Sequence, residues 1–272
     1  MSRKILSAAS TTKLIALATV KDRLGITSSL QDTRLGELIS EASSAIEDYI
    51  GRPLVRQRYL ETVSGNARGR IMLSCCPLDR DSVTLTIDDV ADTDFAVENW
   101  ESGFLWRDGG ADWPRGERSG VISERPEENL DVTYKGGYIL PDMISAFAAS
   151  VPILAGAWVR PTTPVGDLLM EVTTGGTPTG SEPTWPTSAG TTVTSGGGGV
   201  VFTARHAYEL PKFVLTAAWL LIHDLHTSMT RGVGVRAVES DNQRIEYFSA
   251  GSGAEGIPGR VARMIDGMRI AG

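Results

Sequence analysis

The segment that most constrains the fold is residues 143–207, which is rich in Gly, Thr, Pro and Ser. Such a composition is typical of loops and of low-complexity segments. The segment nevertheless contains Trp158, Trp185 and Phe202, which a disordered linker would lack. Short stretches of β-forming residues remain at 168–172, 191–194 and 200–203. We therefore predict a compact β module with long loops.

The flanks of this segment indicate how it is connected to the rest of the chain. Leu140-Pro141 precedes it and Leu210-Pro211 follows it. Deleting the residues between them would join Gly136-Gly137-Tyr138 almost directly to a helical segment. This arrangement is typical of a module inserted in an exposed loop whose ends lie close together. We therefore predict an inserted module at residues 141–208.

Helical periodicity is strongest near the start of the chain. Apolar residues recur there at spacings of three and four, as expected for one face of an amphipathic helix: Leu35, Leu38, Ile39, Ala42, Ile46, Tyr49 and Ile50. Asp32 is the predicted N-cap, and Gly51 supplies the stop signal. A shorter helix precedes it, with Thr19 and Asp22 as a capping box and Gly25 at its end.

Helix is predicted again at Leu210, with Pro211 in the first turn, where its missing N–H costs nothing. Its apolar face is broad: Phe213, Val214, Ala217, Ala218, Leu220, Leu221 and Leu225. Alternation over residues 235–248 predicts a strand, and residues 251–259 predict a flexible hinge. A last short amphipathic helix carries Val261, Met264, Ile265 and Met268.

Between the helical segments the hydrophobic period falls to two, which indicates strands: residues 59–63, 70–73, 83–87, 95–97 and 130–134. The predicted fold is therefore α+β, with a helical-bundle trunk, an antiparallel β region and an inserted small all-β module. The predicted segments are N-terminal trunk helices at 1–55, the β region at 56–140, the inserted module at 141–208, the long helix and strand of the trunk at 209–250, and a C-terminal arm with a short helix at 251–272.

Net charge and hydropathy exclude some classes of function. The formal net charge is -7, so the chain as a whole gains no counterion-release affinity for DNA. No apolar run approaches the roughly 20 residues that a membrane helix needs. Residues 1–10 lack the apolar core of a secretory signal. We expect no membrane association and a location in the cytoplasm where the protein is made.

Metal-binding and redox chemistry is weakly indicated. His223 and His226 are three residues apart on a predicted helix, but two ligands do not complete a zinc site. The adjacent Cys75 and Cys76 could form a redox or metal pair; buried apolar thiols before Pro77 are the favoured interpretation. We predict no metal and no cofactor.

Catalysis is also weakly indicated. Glu98, Glu101 and Asp112 could serve a glycosidase, but their sequence context is not recognisable. An acidic run lacks the spacing of an EF-hand loop and favours a solvated turn: Asp88, Asp89, Asp92 and Asp94. We predict that the protein is not an enzyme and has no catalytic residues.

Five sequence segments, taken in their order along the chain, carry a family resemblance. The pieces are Val20-Lys21-x-x-Leu24-Gly25-Ile26, the helix Asp32-x-x-Leu35-x-x-Leu38-Ile39 ending at Gly51-Arg52, then Val132-x-Tyr134-x-Gly136-Gly137-Tyr138, Leu210-Pro211-x-x-Val214, and Val238-Glu239-Ser240 through Tyr247. Over about residues 20–138 and 210–270 the chain resembles the head–tail connector proteins of long-tailed phages, also called adaptor or head-completion proteins. The module at 141–208 departs from the family pattern.

The resemblance implies a structural role at the head–tail interface of a virion. Such adaptors form a ring, usually dodecameric, under the portal after DNA packaging. They extend the DNA channel and dock the next connector or tail component. The implied partners are the portal protein, neighbouring copies of the chain, and a second connector or tail-terminator protein. DNA would pass through the channel without sequence-specific binding.

The family's C-terminal segment typically reaches the portal. Carried over to this chain, the candidate portal or ring interface consists of Val235, Val238, Ile245, Tyr247, Phe248, Val261, Met264, Ile265, Met268 and Ile270. An alternative function is a carbohydrate-binding or host-recognition module carried by the insertion. That alternative depends on the tryptophans of the insertion, Trp158 and Trp185. Trp106 and Trp113, outside the insertion, could also stack on a sugar or a base, although aromatic residues in a small β module more often form its core.

Overall fold

A computed structural model of the chain describes residues 2–64, 69–79, 82–107, 113, 128–195, 199–230, 237–240, 243–246 and 257–269. The chain divides into two compact units. The sheet unit comprises Met1–Ala9 and Val55–Glu209, and the helical unit comprises Ser10–Leu54 and Leu210–Gly272. The chain thus passes from the sheet unit to the helical unit, back to the sheet unit, and then to the helical unit again.

The strands of the sheet unit are β1 (Ser2–Ser7), β2 (Gln57–Ser64), β3 (Arg70–Met72), β4 (Thr84–Ile87), β5 (Val90–Asp92), β6 (Phe95–Asn99), β7 (Phe104–Arg107), β8 (Glu128–Gly136), β9 (Ile144–Ala146), β10 (Trp158–Arg160), β11 (Leu168–Thr174), β12 (Thr192–Thr194) and β13 (Val201–His206). They form three sheets, in the orders β1-β2-β8-β4-β5, β3-β7-β6 and β12-β13-β11-β10-β9.

The first two sheets share one hydrophobic core. Alternation along β2 places Tyr59 and Glu61 inward, and Tyr134 on β8 lies opposite Tyr59. Leu105 and Ile71 of the three-stranded sheet belong to the same core. Every pairing within these two sheets is antiparallel.

The third sheet lies within residues 144–206 and has its own core. Its strands pair antiparallel except for β9 and β10, which are parallel. Phe202, Val172 and Met170 are nearly or fully buried there, together with Trp185. The Gly- and Thr-rich composition therefore supplies the connections, while the apolar residues of β11 and β13 supply the core.

The helical unit contains α1 (Leu17–Leu24), α2 (Asp32–Ile50), α3 (Lys212–Thr230) and α4 (Gly259–Ile265), and a hairpin of β14 (Ala237–Ser240) and β15 (Gln243–Glu246). α3 packs on both α2 and α4. Gly25 and Gly51 end α1 and α2 in the left-handed conformation, with φ of 68° and 82°. No described helix is both long and apolar enough to cross a membrane.

The predicted helical-bundle trunk is wrong. Strands dominate the described residues, and the four described α-helices are confined to the smaller unit. The physical reason is that the sheet unit closes its own hydrophobic core and needs no helix bundle to bury it. The division into five segments, with an inserted module at 141–208, stays a prediction.

Helix starts also differ from the predicted caps. α1 begins at Leu17 with Ala16 at its N-cap, so Thr19 lies inside the helix and forms no capping box. Gln31 precedes α2, and Asp32 is the first helical residue. Asp32 instead binds the Lys21 ammonium at 2.6 Å. The strand predicted at 235–248 is a short hairpin over its described residues.

Candidate functional site

The predicted portal or ring contact is partly described. Some of its residues lie outside the described part of the chain: Val235, Tyr247, Phe248 and Ile270. Most of the predicted hinge at 251–259 lies outside it as well. Val238 and Ile245 occupy opposite positions in the β14–β15 hairpin. Their assignment to an interface stays a prediction.

The last helix, α4, and the short 3-10 turn that follows it carry the remaining described contacts. Val261 and Ile265 are fully buried, and Met264 and Met268 are half-buried. α4 packs on α3, where Arg260 forms an ion pair with Asp224. The apolar face of α4 therefore contributes to the core of its own unit, and a partner would meet the other faces first.

Residues after α4 are held against α2. The Tyr49 hydroxyl donates a hydrogen bond to the Asp266 carboxylate at 3.1 Å. The Arg269 guanidinium lies 5.1 Å from the centre of the Tyr49 ring, within the range of a cation–π contact. This end of the described chain is therefore anchored within the helical unit.

The histidines lie in different environments. His206 Nδ1 is 2.9 Å from the Asp167 carboxylate in the sheet unit. On α3, His223 packs on Trp219 with a ring-centre distance of 5.9 Å, and His226 lies one turn further along. Among the described residues, no group of three or more His, Cys, Asp and Glu side chains could hold a metal ion.

The acidic run is the turn of a hairpin. Asp88 and Asp89 connect β4 to β5, and both have positive φ, of 48° and 64°. Two such residues define the type I′ turn that two-residue hairpins favour. Asp92 forms an ion pair with Arg107 at 3.2 Å. Asp94 is exposed beyond the end of β5.

The carboxylates considered for catalysis lie in different surroundings. Glu98 forms an exposed ion pair with Arg70 at 2.5 Å. Glu101 is exposed in the turn that follows β6. Asp112 lies outside the described residues. Among the described residues, Glu98 is therefore engaged by Arg70 and belongs to a surface ion pair.

Three of the four tryptophans considered for stacking belong to the cores of the sheet unit. Trp185 packs edge to face on Phe202 at 5.2 Å, and its Nε1 donates to Glu182 at 2.5 Å. Trp158 is 5% exposed and Trp113 is fully buried. Only Trp106, among these four residues, reaches 36% exposure. The buried rings offer no open face for a sugar.

Sequence patterns did not predict a polar cluster around the buried Glu61 of the first sheet, which we call the Glu61 cluster (Arg3, Glu61, Ser74, Cys75 and Tyr134). The fully buried Glu61 carboxylate accepts hydrogen bonds from the Tyr134 hydroxyl at 2.5 Å, and from the Ser74 N–H and Oγ at 3.1 and 2.9 Å. Arg3 donates to Ser74 Oγ and to Cys75 Sγ.

Burial raises the pKa of the Tyr134 hydroxyl above its ordinary value, and the nearby Cys75 and Glu61 raise it further. Tyr134 therefore stays neutral and keeps the proton that it donates to Glu61. Its oxygen also accepts the backbone N–H of Cys75 at 3.2 Å. The one available sequence signal was a glutamate at an inward position of the strand predicted at 59–63.

Replacing Tyr134 by Phe should destabilise the protein by about 1–3 kcal/mol, because Glu61 loses a donor and Cys75 N–H loses an acceptor in a buried site. Urea unfolding of the two proteins measures this difference. Tyr208→Phe, at a half-buried tyrosine outside the cluster, is the control. Equal unfolding midpoints for Tyr134→Phe and wild type would show that the cluster is not stabilising.

A second polar contact joins the first and third sheets. Arg56, just before β2, forms an ion pair with Asp79, and both side chains are mostly buried. The Arg56 guanidinium also lies 4.8 Å from the ring centre of Trp158 on β10. Burial lowers the pKa of Arg56, whereas Asp79 and Glu171 raise it. An arginine remains charged under these conditions.

A charged triad lies close to this contact. Glu171 on β11 forms ion pairs with Arg205 on β13 at 3.2 Å and with Lys135 on β8 at 3.7 Å. Glu171 therefore connects strands of the first and third sheets. Buried and half-buried ion pairs of this kind hold elements in place. The described part of the chain is thus built from a sheet unit and a helical unit.

The particular family follows from a comparison with known families. The family model described as "Head completion protein" matches residues 13–150, about half of the chain. The chain therefore belongs to the head completion protein family, whose members are structural virion proteins. The resemblance to phage head–tail connector proteins is confirmed. Residues 210–270, included in that resemblance, lie outside the matched span.

Two solved chains are similar to this one along its whole length. A chain from the neck of an empty gene transfer agent (GTA) particle, computed with C6 symmetry, has a TM-score of 0.48 and 11% identity, covering 100% of this chain and 97% of its own. A chain from the virion of a native GTA particle has a TM-score of 0.46 and 10% identity, with the same coverage. No curated protein matches the chain.

Proposed function

We propose that this protein is a head–tail adaptor that assembles as a ring under the portal. The ring extends the DNA channel and docks the next connector or tail component. The match of residues 13–150 to the head completion family is the observation that carries the proposal. Ring formation gives each copy two neighbours, and the portal lies above the ring.

The charge of the chain suits a channel through which DNA slides. A formal net charge of -7 gives the chain as a whole no electrostatic attraction for the phosphate backbone. A duplex can then pass without adhering to the wall. This supports passage of DNA without sequence-specific binding.

Residues 141–208 act in this proposal as an inserted module on the ring. Its two ends lie side by side, because Ile139 and Glu209 form a parallel bridge and the Ile139 N–H donates to the Tyr208 carbonyl at 2.8 Å. Adjacent ends are what an insertion into a loop requires. The module is free to face outward, away from the channel.

The portal contact is proposed for the segment from β14 to the end of the chain. Because Val261 and Ile265 are buried within the helical unit, the hairpin and the residues around it carry the contact in this proposal. Host recognition by the insertion gains no support, since Trp158 and Trp185 are buried in the cores of their sheet.

Native mass spectrometry of the protein titrated with purified portal tests the proposal. We expect a complex in which several copies of this chain bind one portal ring, with no comparable complex for a portal that already carries its adaptor. Absence of any co-complex across a range of salt and protein concentrations would contradict the adaptor function.

A further inference from the structure

The two edges of the first sheet differ in charge. β1 forms one edge, and all six of its residues are exposed, including Arg3 and Lys4. β5 forms the other edge. The exposed acidic side chains of Asp88, Asp89 and Asp94 lie at its two ends.

Both edges also expose apolar side chains. Ile5 and Leu6 on β1 are 48% and 44% exposed, and Val90 on β5 is 69% exposed. Among the described residues, β1 pairs with β2 and β5 pairs with β4. An edge strand that presents unpaired backbone groups and apolar side chains is a template for pairing with another chain.

The backbone of β5 is oriented for such pairing. In a two-residue hairpin the pair that flanks the turn, here Ile87 and Val90, is hydrogen-bonded. The next pair, Thr86 and Ala91, is then of the non-bonded type. The N–H and C=O of Ala91 therefore point away from β4, towards the open edge.

The pairing register across the first sheet places residues of β1 and residues of β5 in the same cross-strand rows, so the two edges lie level along the strand direction. Following the paired residues across the sheet leads from Ser2 through Thr62, Asp131 and Thr86 to Ala91. The neighbouring row leads from Arg3 to Asp92. Four successive antiparallel steps give β1 and β5 the same direction. A copy placed beside the sheet can continue it with β1 parallel to β5.

Charge favours pairing the β1 edge of one copy with the β5 edge of another over pairing two β1 edges or two β5 edges. Two β1 edges would bring Lys4 of one copy close to Lys4 of the other, while the Arg3 guanidinium stays on Ser74 and Cys75 of its own copy. Two β5 edges would bring the aspartates of the two copies together. Like charges directly across a strand pair are destabilising, and opposite charges are favourable. The β1 edge of one copy therefore fits the β5 edge of the next.

We propose that β1 of one copy pairs with β5 of its neighbour, so that the first sheet continues from subunit to subunit around the ring. The partner is a second copy of this chain. Such a contact joins two different surfaces, and repeated contacts of this kind close into a ring when the rotation between copies allows it. The inference rests on the proposed ring function and names the surface that forms the ring.

Cross-linking between two single-cysteine variants tests the register. Level strands bring Ser2 and Ala91 of adjacent copies within disulfide reach. Oxidised rings assembled on the portal from a mixture of Ser2→Cys and Ala91→Cys should yield mixed dimers, whereas each variant alone should not. The native Cys75 and Cys76 are buried, which keeps the background low. Rings without mixed dimers would contradict the proposed register.

A backbone variant tests the hydrogen bonds. Ala91→Pro removes the outward N–H and should weaken ring formation about tenfold, while Ala91→Thr keeps the N–H and should assemble normally. Circular dichroism checks that both variants fold. A folded Ala91→Pro protein that forms rings as readily as wild type would overturn the proposal.

A charge exchange keeps the inference testable if Ala91→Pro does not fold. Lys4→Glu should weaken assembly, and adding Thr93→Lys, at the position level with Lys4 in the same register, should restore it. Failure of the double variant to recover would overturn the edge pairing, although the ring itself could still form. Failure of the wild-type protein to form any ring with the portal would instead overturn the proposed function.

Discussion

Replacing Arg56 by Met is expected to destabilise the protein by about 3–5 kcal/mol, the usual cost of removing one partner from a buried ion pair. The side chain of Asp79 is only 5% exposed and would lose its cation. The backbone N–H of Asp79 binds the Lys135 carbonyl at 2.9 Å, which keeps the residue in place. Met would fill much of the volume but leave this carboxylate uncompensated.

The exposed pair of Arg70 and Glu98 is the matched control. Their side chains are 65% and 40% exposed, and such surface pairs contribute about 0–1 kcal/mol. In urea unfolding, the loss of unfolding free energy should therefore be several-fold larger for Arg56→Met than for Arg70→Met. Equal losses would show that Arg56 does not hold the two sheets together. Arg56→Met combined with Asp79→Leu should recover part of the stability, because it removes both charges.

Gly136→Ala is expected to cost about 3 kcal/mol or more, at the upper end of overpacking substitutions. A Cβ at this position would lie 2.0 Å from the carbonyl oxygen of Cys75 and 2.8 Å from a ring carbon of Tyr134. The backbone cannot easily move away, because Gly136 pairs with Gln57 on one side and Leu78 on the other.

Gly69→Ala is the control for this substitution. A Cβ at Gly69 meets nothing within 4 Å, so its unfolding free energy should change by less than about 0.5 kcal/mol. Thermal unfolding and soluble yield measure both variants. A Gly136→Ala protein with wild-type stability would mean that the segment carrying Cys75 can move away from β8.

Local sequence patterns predicted much of the secondary structure. The face from Leu35 to Ile50 and the left-handed Gly51 defined α2, and alternation located β2, β4 and β8. β1 was not predicted, because its place depends on pairing with β2 more than fifty residues away. The prediction of a helical-bundle trunk was wrong because helical periodicity identifies helices but does not show that the sheets bury hydrophobic cores of their own.

Sequence patterns could not predict the buried polar contacts of the sheet unit. Glu61 and Tyr134 are 73 residues apart, and Arg56 and Asp79 are 23 apart. Charged residues with such separations show no spacing that predicts their pairing. The candidate interface was carried over from the family resemblance and included the apolar face of α4. The structure shows that Val261 and Ile265 serve the helical unit itself. Periodicity identifies a buried face but not the partner that buries it.

A cryo-electron microscopy map of the particle neck tests the central claim most directly. The account predicts a ring of this chain between the portal and the next connector or tail component, with the DNA channel continuing through its centre. It also predicts that β1 and β5 of adjacent copies lie side by side. Density for this chain elsewhere in the particle, or a neck in which the portal contacts the tail with no ring of this chain between them, would contradict it.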